Sequence, residues 1–154
     1  MIRKAKTGDI KPVHKLISEF SSRHEMIPRS LNELYETVRD LFVFEKDRAI
    51  RAVSALHLMW EDLAEIRSLA VSRPFQGKGI GSALIKRCLK EARSLGVKRV
   101  FALTYQPEFF VRLGFKHIDK SSLPQKIWGD CVRCPKFPEC DESAVIYELK
   151  EVSC

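Results

Sequence analysis

At 154 residues, 45% hydrophobic and 31% charged, the chain has the size and balance of one globular domain with a core of its own. These values exclude extended disorder and fibrous repeats, and no apolar run approaches the roughly 18 residues that a membrane span needs. The net charge of +7 calls for an anionic partner.

The start, Met1-Ile2-Arg3-Lys4-Ala5-Lys6, is polar rather than a signal-peptide core. Five cysteines in such a chain read as thiols or metal ligands rather than disulfides, which predicts a cytoplasmic protein. Ile2–Lys6 reads as a short strand. Thr7-Gly8-Asp9 then gives helix-start signals, and Ile10, Val13, Leu16, Ile17 and Phe20 fall on one helical stripe. Pro28 breaks the pattern. Ser30 and Glu33, at capping-box spacing, open a second short helix carrying Leu31, Leu34, Tyr35 and Val38. Leu41–Glu45 and Ile50–Met59 are strands joined by the polar turn Lys46-Asp47-Arg48, and Glu65–Val71 is another, ended by Ser72-Arg73-Pro74. From Gly81 the period is helical, through Leu84, Ile85, Cys88, Leu89, Ala92 and Leu95, until Gly96 stops it. Val97–Thr104 predicts a buried strand and Pro107–Leu113 a short helix closed by Gly114; strands follow from Phe115 and over Ala144–Leu149. This order predicts an α/β (α+β) fold, a mixed central sheet with helices on both faces, in a single domain over 1–154.

The positive charge is concentrated. Between positions 71 and 99, Arg73, Lys78, Lys86, Arg87, Lys90, Arg93, Lys98 and Arg99 stand against Glu91 alone. A solvated helix face would account for the charge by itself. Nucleic acid is a second reading, but no aromatic-interleaved basic stripe accompanies it. The glycines favour a third, a phosphate-bearing cofactor. Gln76-Gly77-Lys78-Gly79-Ile80-Gly81 lies between a strand and an amphipathic helix. Alternate glycines there admit positive φ and close approach of a ligand, and the free N–H groups of the helix start attract an anion. The spacing is neither the Rossmann fingerprint nor a Walker A motif.

Arg73-Pro74-Phe75-Gln76-Gly77-Lys78-Gly79-Ile80-Gly81-Ser82-Ala83-Leu84 resembles the acetyl-CoA signature, Gln/Arg-x-x-Gly-x-Gly/Ala, of GNAT acetyltransferases. The resemblance implies a GNAT fold and acetyl-CoA as cosubstrate. Its pyrophosphate would lie on the backbone of Gln76, Gly77, Lys78, Gly79, Ile80, Gly81 and Ser82, and its pantetheine arm on Leu69, Ala70 and Val71. Lys78 and Arg112 are candidates for the CoA phosphates. Phe109-Phe110-Val111-Arg112-Leu113-Gly114-Phe115 is similar to the helix-then-Gly-Phe end of that fold. Many members carry there a tyrosine that protonates the departing thiolate, and Phe110 stands in its place.

Glu65-Ile66-Arg67-Ser68-Leu69-Ala70-Val71 and Val100-Phe101-Ala102-Leu103-Thr104 resemble strands of N-acetylglutamate synthases. Pro28-Arg29-Ser30 and Leu123-Pro124-Gln125-Lys126 resemble substrate-side segments of the same enzymes, and the tail Cys131–Glu142 is similar to that of short, stand-alone bacterial members. This resemblance implies direct acetyl transfer, in a ternary complex, to the α-amino group of an amino acid, L-glutamate above all, in arginine biosynthesis. An amine must lose a proton before it attacks a thioester, which suits Glu65 as general base, directly or through a water. Thr104 or Tyr105 would protonate the thiolate, and backbone N–H groups near Ser68–Ala70 would polarise the thioester carbonyl. Two acceptor carboxylates call for charged donors, so Arg29, Arg67 and Lys126, with Ser68, are the substrate-binding candidates. Another amino acid, a polyamine or a protein N-terminus is the alternative acceptor. A non-catalytic zinc module binding nucleic acid is the alternative of a different class.

Within the loop 128–143, Cys131-x2-Cys134-x5-Cys140 has one spacing that suits zinc, with His117, Asp141, Glu142 or Cys154 as a fourth ligand; three reduced thiols are the other reading. Cys88, on the apolar helix stripe, reads as core. The chosen partners are a small-molecule amino acid and acetyl-CoA, with no nucleic acid and no membrane; a homodimer is left open.

Overall fold

The computed structural model describes residues 1–123 and 142–149. The strands are β1 (Ile2–Lys4), β2 (Leu41–Lys46), β3 (Ala49–Trp60), β4 (Leu63–Val71), β5 (Arg99–Thr104), β6 (Lys116–Ile118) and β7 (Ser143–Glu148). The helices are α1 (Ile10–Ser21), α2 (Leu31–Glu36), α3 (Ile80–Ser94) and α4 (Pro107–Val111). The strands hydrogen-bond in the order β1-β2-β3-β4-β5-β7-β6. The element order is the predicted one. Several starts move by one or two residues: β4 begins at Leu63 rather than Glu65, α3 at Ile80 rather than Gly81, and β5 at Arg99 rather than Val97, because Val97 N–H closes the end of α3 onto Ala92 O at 3.0 Å. The chain forms two compact units, Met1–His57 with Ile66–Glu91, and Leu58–Glu65 with Ala92–Cys154. Strands β3 and β4 run through both.

In the first unit β1, β2 and β3 form an antiparallel meander, with Arg3 opposite Val43 and Val43 opposite Val53. The β2–β3 hairpin turns on Asp47 and Arg48, both with positive φ (54° and 60°), the backbone that a two-residue hairpin turn requires. Side chains alternate across a strand, so Val43, Val53 and Ala55 share one face, and Ile10, Val13, Leu16 and Ile17 of α1 with Leu34 of α2 bury against it. Each such aliphatic side chain contributes about 1.5–3 kcal/mol when fully buried, so this stripe rather than helix propensity holds α1 in place. The opposite face belongs to α3. There Cys88 Sγ donates to Ser54 Oγ at 3.6 Å, both residues being fully buried. Helices thus cover both faces, as expected. The start of α2 is capped as its sequence predicts: Ser30 Oγ accepts from Glu33 N–H at 3.1 Å.

In the second unit β4 and β5 run parallel, with Leu63, Ala64 and Glu65 opposite Arg99, Val100 and Phe101. Parallel strands need a long crossover connection, and α3 supplies it. β7 lies antiparallel between β5 and β6, so that Phe101 faces Ile146 and Ile146 faces Lys116. Leu63, Phe101, Leu123 and Ala144 form the core of this unit.

A chain of aromatic rings extends it. Phe110 meets Phe115 edge-on at 5.1 Å, and Phe115 meets Tyr147 at 5.2 Å. Gly114 turns beneath them with φ of 104°, and a Cβ there would come within 2.9 Å of Tyr147 Cε2. Gly114→Ala is therefore expected to destabilise the fold by about 1–3 kcal/mol through backbone strain alone, plus the cost of moving the ring. The check is the urea midpoint at unchanged m-value. An unaltered midpoint would mean that the turn relaxes freely.

Candidate active site

The cosubstrate half of the site follows from three local features of the first unit. The first is in β4. Ser68 has φ of 55°, the left-handed region, in the middle of an otherwise extended strand. A residue other than glycine pays about 1–3 kcal/mol for that conformation, and such strain clusters at functional sites. It breaks the regular alternation just before Leu69, Ala70 and Val71, of which Ala70 is buried and the other two half-buried.

The second is the turn after β4. Arg73–Phe75 is a 3-10 turn, with Phe75 N–H on Ser72 O at 2.8 Å and Gln76 N–H on Arg73 O at 3.2 Å. The Gln76 side chain also turns back, donating Nε2 to Val71 O at 2.9 Å. The backbone N–H of Gln76 and one N–H of its side-chain amide thus brace the loop, and further amides follow at the helix start.

The third is the start of α3. Gly77 and Gly79 have φ of 76° and 82°, and a Cβ at either would meet nothing within 4 Å. Ala83 N–H bonds Gly79 O at 3.0 Å, closing the first helical turn. The N–H groups of Ile80, Gly81 and Ser82 therefore precede any intrahelical partner and converge at the positive end of a 15-residue helix. This is the chemistry a pyrophosphate requires. The glycine conformations and the orphan amides fit acetyl-CoA. Lys78 and Arg51 flank the loop, at 5.5 Å and 5.1 Å from the centre of the Phe75 ring.

The acceptor candidates divide. Arg29, ahead of α2, donates to Glu33 Oε2 at 3.1 Å, and its side chain is 16% exposed. Arg67 is half-buried on β4. In the second unit Glu65 is 9% exposed and stands opposite Phe101 in the β4–β5 ladder. Thr104 lies three residues further along β5, about 10 Å at the rise of a strand. Its Oγ1 accepts from Gln106 N–H at 2.9 Å, which leaves the hydroxyl proton available to another acceptor. Tyr105, next to it, is 36% exposed. Arg112 is exposed at the end of α4. Phe110, in place of the usual tyrosine, is 4% exposed and packed into the aromatic chain, so that position is core.

Lys126 and the cysteines Cys131, Cys134 and Cys140 fall outside the described residues. Among the described residues no group of three His, Cys, Asp or Glu could hold a metal ion. His117, a candidate fourth ligand, instead stands 3.7 Å from Glu108. No helix among the described residues is long and apolar enough to cross a membrane. The hydrogen-bond contact of His57 Nδ1 with Asp40 Oδ2, at 2.7 Å, went unsignalled in the sequence, because its partners are 17 residues apart and neither sits in a motif.

The cradle suits a phosphate-bearing cosubstrate. The model of the Acetyltransferase (GNAT) family matches residues 11–115. An uncharacterized N-acetyltransferase of Chlorobaculum tepidum is 37% identical over 148 residues, 96% of each chain. The amino-acid acetyltransferase of Mycobacterium tuberculosis is 35% identical over 136 residues, 86% of this chain and 78% of that one. A crystal structure of N-acetylglutamate synthase from Neisseria gonorrhoeae, with coenzyme A and N-acetyl-glutamate, matches with TM-score 0.89 and 27% identity over 97% of this chain and 35% of that one. The protein belongs to the GNAT acetyltransferase family and is an enzyme of that kind.

Proposed function

We propose that the enzyme transfers acetyl from acetyl-CoA to the α-amino group of an amino acid, with L-glutamate as the physiological acceptor, as a step of arginine biosynthesis. The observation that carries the reading is the buried carboxylate of Glu65, three residues ahead of the left-handed Ser68 on the strand that leads into the anion cradle. The amino-acid acetyltransferase relatives and the N-acetylglutamate synthase neighbour support the acceptor class.

The chain's own groups divide the work. The amides of Ile80, Gly81 and Ser82 hold the pyrophosphate, and the backbone of Leu69–Val71 holds the pantetheine arm. CoA supplies the acetyl thioester when bound. Glu65 takes a proton from the acceptor ammonium, because only the free amine has a lone pair to attack with. N–H groups beside Ser68 polarise the carbonyl. Thr104, already oriented by the Gln106 amide, gives its proton to the departing sulfur, with Tyr105 as the neighbouring donor. Arg29, Arg67 and Lys126 meet the carboxylates. No covalent enzyme intermediate is needed.

The experiment that tests the acceptor is a turnover screen of the common amino acids and spermidine with acetyl-CoA. Glutamate is expected to lead, and glutamine, which keeps the shape and loses the side-chain charge, to fall well behind. Arg29→Ala is expected to raise the glutamate KM at least tenfold, since one charged hydrogen bond is worth roughly 1.5–3 kcal/mol. The acetyl-CoA KM should hardly move, because the cradle is built from backbone. Faster acetylation of lysine or spermidine than of glutamate would overturn the acceptor assignment.

A further inference from the structure

The outward positions of α3 are Ala83, Lys86, Arg87, Lys90, Arg93 and Ser94, all exposed. Four of the six are bases and none is an acid. Lys86 and Lys90 are one helical turn apart, as are Arg87 with Lys90 and Lys90 with Arg93. Like charges at these spacings destabilise a helix by about 0.2–0.5 kcal/mol per pair, the reverse of the mixed-sign face that solvation alone favours. Arg87 lies 5.7 Å from the centre of the Phe42 ring, and Lys4 of β1 lies 4.4 Å from the same ring. Two cations over one ring carry the patch from α3 onto the edge strand.

Free CoA does not explain this face. Its pyrophosphate meets the first turn of α3, whereas Lys90 stands ten residues beyond Ile80, about 15 Å along the axis. The ligand that suits the whole surface brings a phosphate for the cradle, a pantetheine arm for β4 and further negative charge beyond. Nucleic acid brings the charge but no acyl group, and α3 exposes no aromatic side chain on which a base could stack.

We propose that the α3 face docks an acidic acyl-carrier protein, which presents an acyl group as a thioester on its phosphopantetheine arm, as a second donor. This rests on the acetyl-transfer reading of the cradle. In the transfer the amine nitrogen, having given up a proton, forms the bond to the carbonyl carbon, and the bond from that carbon to sulfur breaks. The sulfur takes up a proton and leaves as the carrier's free thiol. The net products are the amide, the thiol-bearing carrier and the proton first lost by the ammonium.

The test compares acetyl-CoA with a bacterial acyl-carrier protein loaded with acetyl-phosphopantetheine, on the full chain with one acceptor. The wild type is expected to use both donors. The double variant Lys86→Glu/Lys90→Glu is expected to lose at least tenfold in kcat/KM with the carrier, and to stay within twofold of wild type with acetyl-CoA. Raising the salt should weaken carrier use selectively, as steering by exposed charges requires. Three results overturn the proposal: no transfer from the loaded carrier while acetyl-CoA is used, an equal loss on both donors, or tight binding of random duplex DNA that the double variant abolishes while carrier use is unchanged. If neither donor is used, the acetyl-transfer reading fails instead. Anisotropy of a labelled carrier then decides the docking: binding lost in the double variant supports it, and no binding overturns it.

Discussion

Glu65→Gln is expected to lower kcat by about 10²–10⁴-fold with little change in acetyl-CoA affinity, the usual cost of losing a general base. Glutamine is the informative replacement. At 9% exposure a smaller side chain would leave a cavity and mix stability with chemistry. The defect should shrink as the pH rises, because free amine becomes abundant without help from the enzyme. Initial rates at saturating acetyl-CoA across the pH range are the measurement. A wild-type rate at neutral pH would remove Glu65 from the proton transfer and leave it a structural role at the end of the β4–β5 ladder.

The second large effect is expected at Gly79. Gly79→Val should abolish measurable acetyl-CoA binding in a protein that still folds, as read by calorimetry beside a circular dichroism melt. Gly79 has φ of 82°, so any side chain strains the turn by about 1–3 kcal/mol. Because no atom of the described residues beyond its chain neighbours lies within 4 Å of an added Cβ, the bulk of valine is expected to meet the ligand rather than the fold. Displacing the phosphates from two amides forfeits charged hydrogen bonds of roughly 1.5–3 kcal/mol each, a loss of at least about a hundredfold. Gly79→Ala separates the causes, since it alters the backbone with little added bulk. Unchanged affinity in a folded valine variant would place the phosphate site elsewhere.

What could be read from the residues was whatever rests on period, cap or glycine. The stripe of α1, the Ser30 cap and the switch from strand to helix at the glycine turn are local patterns, and each lies where its pattern predicts. The departures are tertiary. No local rule puts a serine at positive φ inside a strand, yet Ser68 is held there by the fold around it. The resemblance concerns the Gln76 backbone, and nothing local announces that its side-chain amide donates to a carbonyl five residues back, Val71 O. Arg29 was legible as a base but its pairing with Glu33 was not, although the i,i+4 spacing allows it. Phe110 is the converse case. Its departure from the family pattern was plain in the sequence, and the aromatic chain to Phe115 and Tyr147 supplies the reason.

The thiol of Cys88 bears on how the enzyme is handled. Acetyl transfer is conveniently followed by trapping released CoA with a thiol reagent, and every reactive protein thiol adds to that background. Cys88 adds none. It is fully buried, and burial pushes its pKa up to about 11, so at assay pH it is neither ionised nor reachable. Its labelling must wait for α3 to lift from β3, where its partner Ser54 sits. The modification rate of that one peptide under native conditions is therefore a clock for opening of the first unit, running unseen beneath the catalytic signal.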